Sequence, residues 1–314
     1  MAPNYSFISL KRSLKHVVLF VCAFACFCLP TSFLFSKSRP KDMRVDVVVF
    51  SFDRALQLYA YLESQEKYLT GVNDTHVIYR TSSPEHENSY QAVNQRFPKV
   101  QFHKQSALPQ NDFKSLVWAS VYSNLSPCAY IMFAVDDLIV KDQANLEMCT
   151  KSLEDNNAWG FFLRLGKNIN FCYMENRATP PPAGKDVGNG VFCWKFEGGE
   201  GDWGYPNNVD MTIYRKKDIM AYLRNENYVH PNSLEANWQK WRDMKGKGLC
   251  FQTSKNINIP LNLVNPSTNR CNNSFTVPDL LSKFQQGQKI NIQAFYQVNN
   301  VSPHVDYTPT FIPR

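Results

Sequence analysis

The chain has 314 residues, 44% of them hydrophobic and 19% charged, with a formal net charge of +7. That is ordinary globular composition, long enough for one large or two small domains. The charge sits at the N-terminal edge: Lys11, Arg12 and Lys15 face no acid over residues 1–36, and Lys37, Arg39, Lys41 and Arg44 face only Asp42. Residues 45–314 are left nearly neutral and lack the basic footprint of a nucleic-acid binder, so no nucleic acid is expected as a partner.

After a short basic tail (1–16), Val17–Ser36 runs without a charge. At helical rise it extends roughly 30 Å, about the thickness of the hydrocarbon core of a bilayer. The expectation is a single-pass N-terminal transmembrane anchor with a stalk at 37–44; a cleaved signal peptide is the rival reading. Basic residues flank both ends, so orientation is not fixed. The remainder would face a Golgi-type lumen in a eukaryote, or the cytoplasmic side of the inner membrane in a bacterium.

Val45–Phe52 is β-branched with no polar face, as in a central parallel strand, and exits through Ser51, Asp53 and Arg54. Leu56–Tyr68 has apolar residues at helical spacing. Thr75–Tyr79 is a second strand, followed by the polar run Arg80–Glu85 with Thr81 and Ser82. A helix at Asn88–Phe97, a short strand at Val100–His103 and a helix at Phe113–Ser123 follow, the last containing Lys114. Tyr130–Val140 reads as one buried strand interrupted by Asp136 and Asp137. Two adjacent buried carboxylates repel and lose water. A hard divalent cation, Mn2+ or Mg2+, relieves both costs; an exit into solvent is the plainer alternative. Strand–helix alternation with short loops predicts a doubly wound α/β sheet flanked by helices, with ligands beyond the carboxyl ends of its strands. Neither GxGxxG after the first strand nor GxxxxGK[ST] occurs, which disfavours dinucleotide and P-loop sites.

Downstream, Asp142–Asp155 reads as helix and Trp159–Leu165 as strand. Gly166–Asn208 is a long irregular tract whose aromatic content, including Trp194 and Trp203, argues for a binding surface or lid rather than plain disorder. Val209–Arg215 is a strand, Lys217–Arg224 a helix, and Pro231–Met244 a further helix capped by Asn232 or Ser233 near Glu235. Cys128, Cys149, Cys172, Cys193, Cys250 and Cys271 permit disulfides, Cys172 with Cys193 among them, but show no CxxC zinc pattern.

Taken in order, these motifs resemble a GT-A-type glycosyltransferase, close in plan to the family-two enzymes. Val47–Arg54 resembles the first strand and its (S/T)-(Y/F)-(N/D)-R exit, Phe133–Asp137 the DxD strand end, Met211–Ile219 the later strand and helix start, and Leu234–Trp238 the acidic base motif. The resemblance covers roughly 45–240. It implies a nucleotide-binding half at 45–165 and an acceptor-binding half at 166–314. Ser51, Asp53, Arg54, Thr81, Ser82, Lys114 and Asp136 would bind a nucleotide-sugar donor. Asp136, Asp137 and a late histidine, His304, would hold the cation. Glu235 would be the base, with Asp202 as runner-up, and Trp194 and Trp203 would be platforms for a glycan or lipid-linked acceptor. Each has an ordinary structural alternative: a solvated helix residue for Lys114, packing for the tryptophans, a dipole-stabilised acid for Glu235. The chain departs from the family pattern at Val135 and Ala236. Three readings therefore stand: an active sugar transferase, a non-catalytic GT-A-like membrane protein that binds glycan or nucleotide, and a membrane-tethered interaction protein whose long aromatic loop docks a partner.

Overall fold

The structure, a computed structural model, describes residues 42–123, 125–264 and 270–314. Strand β1 (Val45–Phe52) leads into helix α1 (Ala55–Tyr68), then β2 (Val72–Arg80), α2 (Pro84–Arg96), β3 (Gln101–Lys104), α3 (Pro109–Val121) and β4 (Tyr130–Val135). After the turn at Asp136–Asp137 come β5 (Leu138–Val140), α4 (Leu146–Asn156), β6 (Gly160–Phe162), β7 (Gly184–Asp186) and β8 (Val191–Lys195). The rest comprises β9 (Thr212–Arg215), α5 (Lys216–Asn225), α6 (Pro231–Trp238), β10 (Lys247–Phe251), β11 (Asn256–Asn258) and α7 (Val277–Gln285).

Nine strands form one mixed sheet in the order β7-β8-β10-β6-β9-β4-β1-β2-β3. β4, β1, β2 and β3 are parallel neighbours, whereas β9 runs antiparallel to both β4 and β6. The period-two alternation of β1 serves two cores. Val45, Val47 and Val49 pack in a cluster with α1, α2, α4 and α7, while Val48 and Phe50 join α3, α5 and α6. Both faces of the parallel half are thus covered, as its uninterrupted apolar composition requires. Because β9 lies between β4 and β6, the two expected halves interleave in one sheet rather than standing apart.

The expected strand Tyr130–Val140 is two strands. Its second part, β5, leaves the main sheet and pairs antiparallel with β11. The two carboxylates lie in the turn between, where the chain changes partners. The tract at 166–208, expected to be long and irregular, supplies β7 and β8, an edge hairpin, together with a two-residue hairpin at Phe171–Cys172 and Arg177–Ala178. α2 begins before the expected Asn88, because Ser83 accepts the His86 amide and Pro84 suits the first helical turn. α6 is shorter than expected, and its cap is His230, whose ring accepts the Ser233 amide at 3.1 Å. All six cysteines of the described residues are free, so Cys172 and Cys193 form no staple.

The expected membrane placement is corrected. Among the described residues no helix is long and apolar enough to cross a membrane. The segment 17–36, on which that expectation rested, lies outside the described residues, as does most of the stalk.

Candidate active site

Since β9 is antiparallel, its N-terminal end meets the C-terminal ends of β1, β2, β4 and β6 at one edge of the sheet. A cavity of about 590 Å3 opens along that edge. Across five adjacent strands it extends roughly 20 Å at the usual inter-strand spacing. Phe50, Ile78, Arg80 and Phe113 line its β1–β2 side, Asp136 and Asp137 its middle, and Arg164, Asp202, Asp210, Glu235 and His304 its β6–β9 side.

The middle is a closed charge network. Arg54 places Nη1 3.0 Å from Asp136 and 3.1 Å from Asp137. Its Nε donates to the Asn262 side chain at 3.0 Å, and Nη2 donates to the Asn262 carbonyl. Ser51 Oγ donates to Asp136 at 2.8 Å and also contacts the Tyr90 hydroxyl. Asn258 donates to Asp137 at 2.9 Å, and its backbone bridges to His304 in parallel register, which carries the histidine to this end of the sheet. Burial raises the Asp136 carboxyl to about 6 even though Arg54 opposes the shift; the Asp137 charge adds to it.

The second acidic group surrounds Arg164, a buried guanidinium that ion-pairs with Asp202 and donates to the Asp202 and Tyr205 carbonyls. Glu235 accepts the Val209 amide at 3.2 Å. Burial first, then the neighbouring Asp210, pushes its carboxyl up to about 8 against the pull of Arg164. Asp210 is raised by burial too, and His304 stands 3.7 Å from it. One arginine thus serves three carboxylates, and Glu235, raised to about 8, is mostly protonated at neutral pH. Once ionised, as pH approaches 8, such a buried carboxyl is a stronger proton acceptor than an ordinary carboxylate.

Several expected site residues are elsewhere. Trp194 and Trp203 are buried, 2% and 0% exposed, and pack edge to face at 4.9 Å in a core cluster, so neither is an acceptor platform. Lys114 donates to the Arg224 and Glu226 carbonyls at 2.9 and 2.7 Å, anchoring the end of α5 rather than facing the cavity. Asp53, in the left-handed region at φ 53°, accepts the Ser82 amide at 2.8 Å. Thr81 donates to Glu87 at 3.0 Å. These three fasten the β1 exit to the start of α2 and do not line the cavity. Ser51, Arg54, Asp136, Asp137, Asp202, Glu235 and His304 do line it. Glu235 lies beyond the first turn of its helix, which has no acid, so a dipole role does not describe it.

Sequence reasoning missed Tyr90, Arg164, Asp210, Asn258 and Asn262. Arg164 had a signal, a charge inside an apolar run, Phe161–Leu165. The asparagines had none, since their partners lie 121 and 208 positions away in the chain.

The carboxylates have the chemistry to bind a divalent cation, but the arrangement does not fit one. Among the described residues no three His, Cys, Asp or Glu side chains converge to hold a metal. Arg54 occupies the space between Asp136 and Asp137 and supplies the positive charge expected of the ion, and His304 pairs with Asp210 instead.

No protein-family model matches the chain. Over 222 residues it is 30% identical to the bifunctional glycosyltransferase pgtA of Dictyostelium discoideum. The match takes in 63% of this chain and 28% of that protein, so the chain spans little more than a quarter of the curated relative it matches. Among solved structures, Staphylococcus aureus TarS 1–349 is similar with a TM-score of 0.43 at 11% identity, over 67% of this chain and 58% of that one. The mannosyltransferase PcManGT of Pyrobaculum calidifontis, in complex with GDP-Man and Mn2+, gives 0.37 at 10%, over 65% and 53%. Both scores lie below the level that establishes a common fold.

Proposed function

We propose that the chain is a GT-A-like glycosyltransferase that moves a sugar from a nucleoside-diphosphate donor to a hydroxyl acceptor. The observation that carries this reading is the 30% identity to a glycosyltransferase over 222 residues. It is supported by a cavity lined both by the buried Glu235, whose carboxyl is raised to about 8, and by the acidic turn at the end of β4.

The nucleoside lies at the β1–β2 side. There Phe50, Ile78 and Phe113 offer an apolar wall, and the Arg80 guanidinium is stacked 3.7 Å over the Phe52 ring. The sugar then reaches toward β9, and the acceptor hydroxyl enters beside Glu235. The oxygen of that hydroxyl attacks the anomeric carbon as the bond to the diphosphate breaks, and Glu235 removes its proton. Arg164 holds Asp202 in place through their ion pair, while Asp210 keeps Glu235 basic enough to take a proton. The acceptor passes a rim formed by Met174, Val229 and Leu263, which are 45%, 40% and 39% exposed and line the cavity mouth. An apolar rim suits the C–H faces of a glycan or the chain of a lipid-linked acceptor. The arrangement does not fit a cation, and no step is assigned to one.

The test incubates the protein with a panel of nucleotide-sugars and measures nucleoside diphosphate release, with and without acceptor. Release that Glu235→Gln abolishes while the variant still binds donor supports the reading. Donor binding without release by the wild type would leave the non-catalytic binding protein in its place.

A further inference from the structure

A second pocket, of about 430 Å3, shares no lining residue with the first. It lies at the opposite end of the β5–β11 ladder from Asp137 and Asn258. Its wall includes Lys141, Asp142, Gly190, Thr253 and Lys255. Lys141 directly follows β5, and its backbone is fixed on both sides. Its amide donates to the Lys255 carbonyl at 2.9 Å, and its carbonyl accepts the Gln297 amide at 2.8 Å.

The side chain of Lys141 is 0% exposed, and its Nζ has no hydrogen-bond partner. An amine in that position is costly, because a buried charge requires a counter-charge and hydrogen-bond acceptors. The nearest acid does not provide them. Asp142 pairs with Lys255 at 2.5 Å and also accepts the Gln143 amide at 2.8 Å, so two of the three charges cancel. One positive charge is left over. Burial lowers the Lys141 amine to about 8, helped by Lys255 and opposed by Asp142, so it remains largely protonated at neutral pH. Asn189 and Gly190, which also line the pocket, have positive φ, 54° and 69°, and a side chain added at Gly190 would meet nothing within 4 Å. The absent side chain at Gly190 leaves room for a small ligand to approach the backbone there.

We propose that this pocket binds a small tetrahedral oxyanion of the phosphate or sulfate class at Lys255 Nζ, drawn there by the uncompensated charge of the buried Lys141. The chemistry selects this class. Ammonium groups act as compact point charges and lack the planar fork that favours a carboxylate. The pocket is independent of sugar transfer and stands whether or not that activity is found.

The experiment follows thermal unfolding of the full chain against inorganic phosphate, sulfate, acetate and glycerol 3-phosphate at constant ionic strength and neutral pH. A ligand of the native state raises the melting temperature in a saturable way. A saturable rise with phosphate or sulfate but not acetate, lost in Lys141→Met, is the expected result. A rise with glycerol 3-phosphate as well identifies an esterified phosphate as an acceptable form; its absence limits the site to the free ion. No rise with either inorganic ion, or a rise that Lys141→Met retains in full, overturns the proposal. If Lys141→Met does not fold, tungstate soaked into wild-type crystals decides. Anomalous density within hydrogen-bond reach of Lys255 Nζ supports the site, and density only elsewhere, or none, rejects it.

Discussion

Arg54 and Asp136 are joined at 3.0 Å inside the cavity, with only 10% and 4% of their side chains exposed. The same guanidinium nitrogen serves Asp137. Removing it leaves two buried carboxylates facing each other without compensation. Breaking a buried pair in this way costs about 3–5 kcal/mol. Arg54→Ala is expected to lower the unfolding free energy by that order, and Mn2+ to restore part of it by occupying the vacated space between the acids. Denaturant titrations with and without the ion check this. An unchanged stability would show that water already screens the pair.

Glu235 ties stability to pH. Its folded-state value of about 8 lies above the ordinary 4.5, so the folded protein holds this proton more tightly than the unfolded chain. The associated stability is fully present below about pH 4.5 and is lost as pH rises toward 8. Glu235→Gln keeps the neutral shape and removes that loss. The variant should therefore be the more stable form at pH 8, by an amount on the order of a few kcal/mol, and equal to wild type near pH 4. Stability curves at the two pH values decide; equal curves at both would show that the carboxyl titrates normally.

The same residue governs turnover. If Glu235 takes the acceptor proton, kcat/KM should rise with pH toward a plateau above about 8, because only the ionised form accepts it. Glu235→Gln should lose roughly 100-fold or more in transfer, since a general base typically contributes a factor of that size. Donor affinity, read by melting-temperature shift, should stay. A variant with wild-type turnover would move the base to Asp202 or Asp210.

The middle of the cavity was legible because it depends on local pattern, whereas the expected Asp53, Thr81, Ser82 and Lys114 fall outside it. The β-branched run of β1, the polar exit at Ser51 and Arg54, and the paired acids after β4 are all contiguous in sequence, and the sheet edge brings them together. The acceptor side was not. Trp194 and Trp203 look like exposed platforms in a glycine-rich tract, yet they form a core of their own. The Trp194 indole donates to the Trp203 carbonyl at 3.0 Å, and the Trp203 indole to the Ile169 carbonyl at 3.2 Å. Aromatic residues in a loop can serve a surface or a small core, and composition does not separate the two. Asp210 was hidden for a different reason. Its importance arises from the antiparallel insertion of β9 between β4 and β6, a feature of topology that no local spacing records.

That small core gives a stability prediction. Trp203→Ala removes a fully buried indole and the hydrogen bond it donates to the Ile169 carbonyl, and should cost about 3–5 kcal/mol. Trp203→Phe should cost less. Both variants should keep wild-type acceptor KM in whatever fraction remains folded. A raised KM with unchanged stability would return Trp203 to the acceptor site.

The acceptor route is instead assigned to the rim, and a kinetic split distinguishes it. Met174 follows the short strand Phe171–Cys172, Val229 precedes α6, and Leu263 follows Asn262, the residue that holds Arg54. Their side chains reach the cavity mouth but make none of the polar contacts that fix Arg54, Asp136 or Glu235. A charge placed there meets the acceptor and leaves the donor side intact. Met174→Glu and Leu263→Glu should each raise acceptor KM, by roughly 10-fold for about 1.4 kcal/mol of lost apolar contact. Slow hydrolysis of the donor by water, which needs no acceptor, should be unchanged. Both rates come from one coupled assay of diphosphate release, run with and without acceptor. If hydrolysis falls together with transfer, the rim supports the catalytic residues themselves; if neither changes, the acceptor enters by another route.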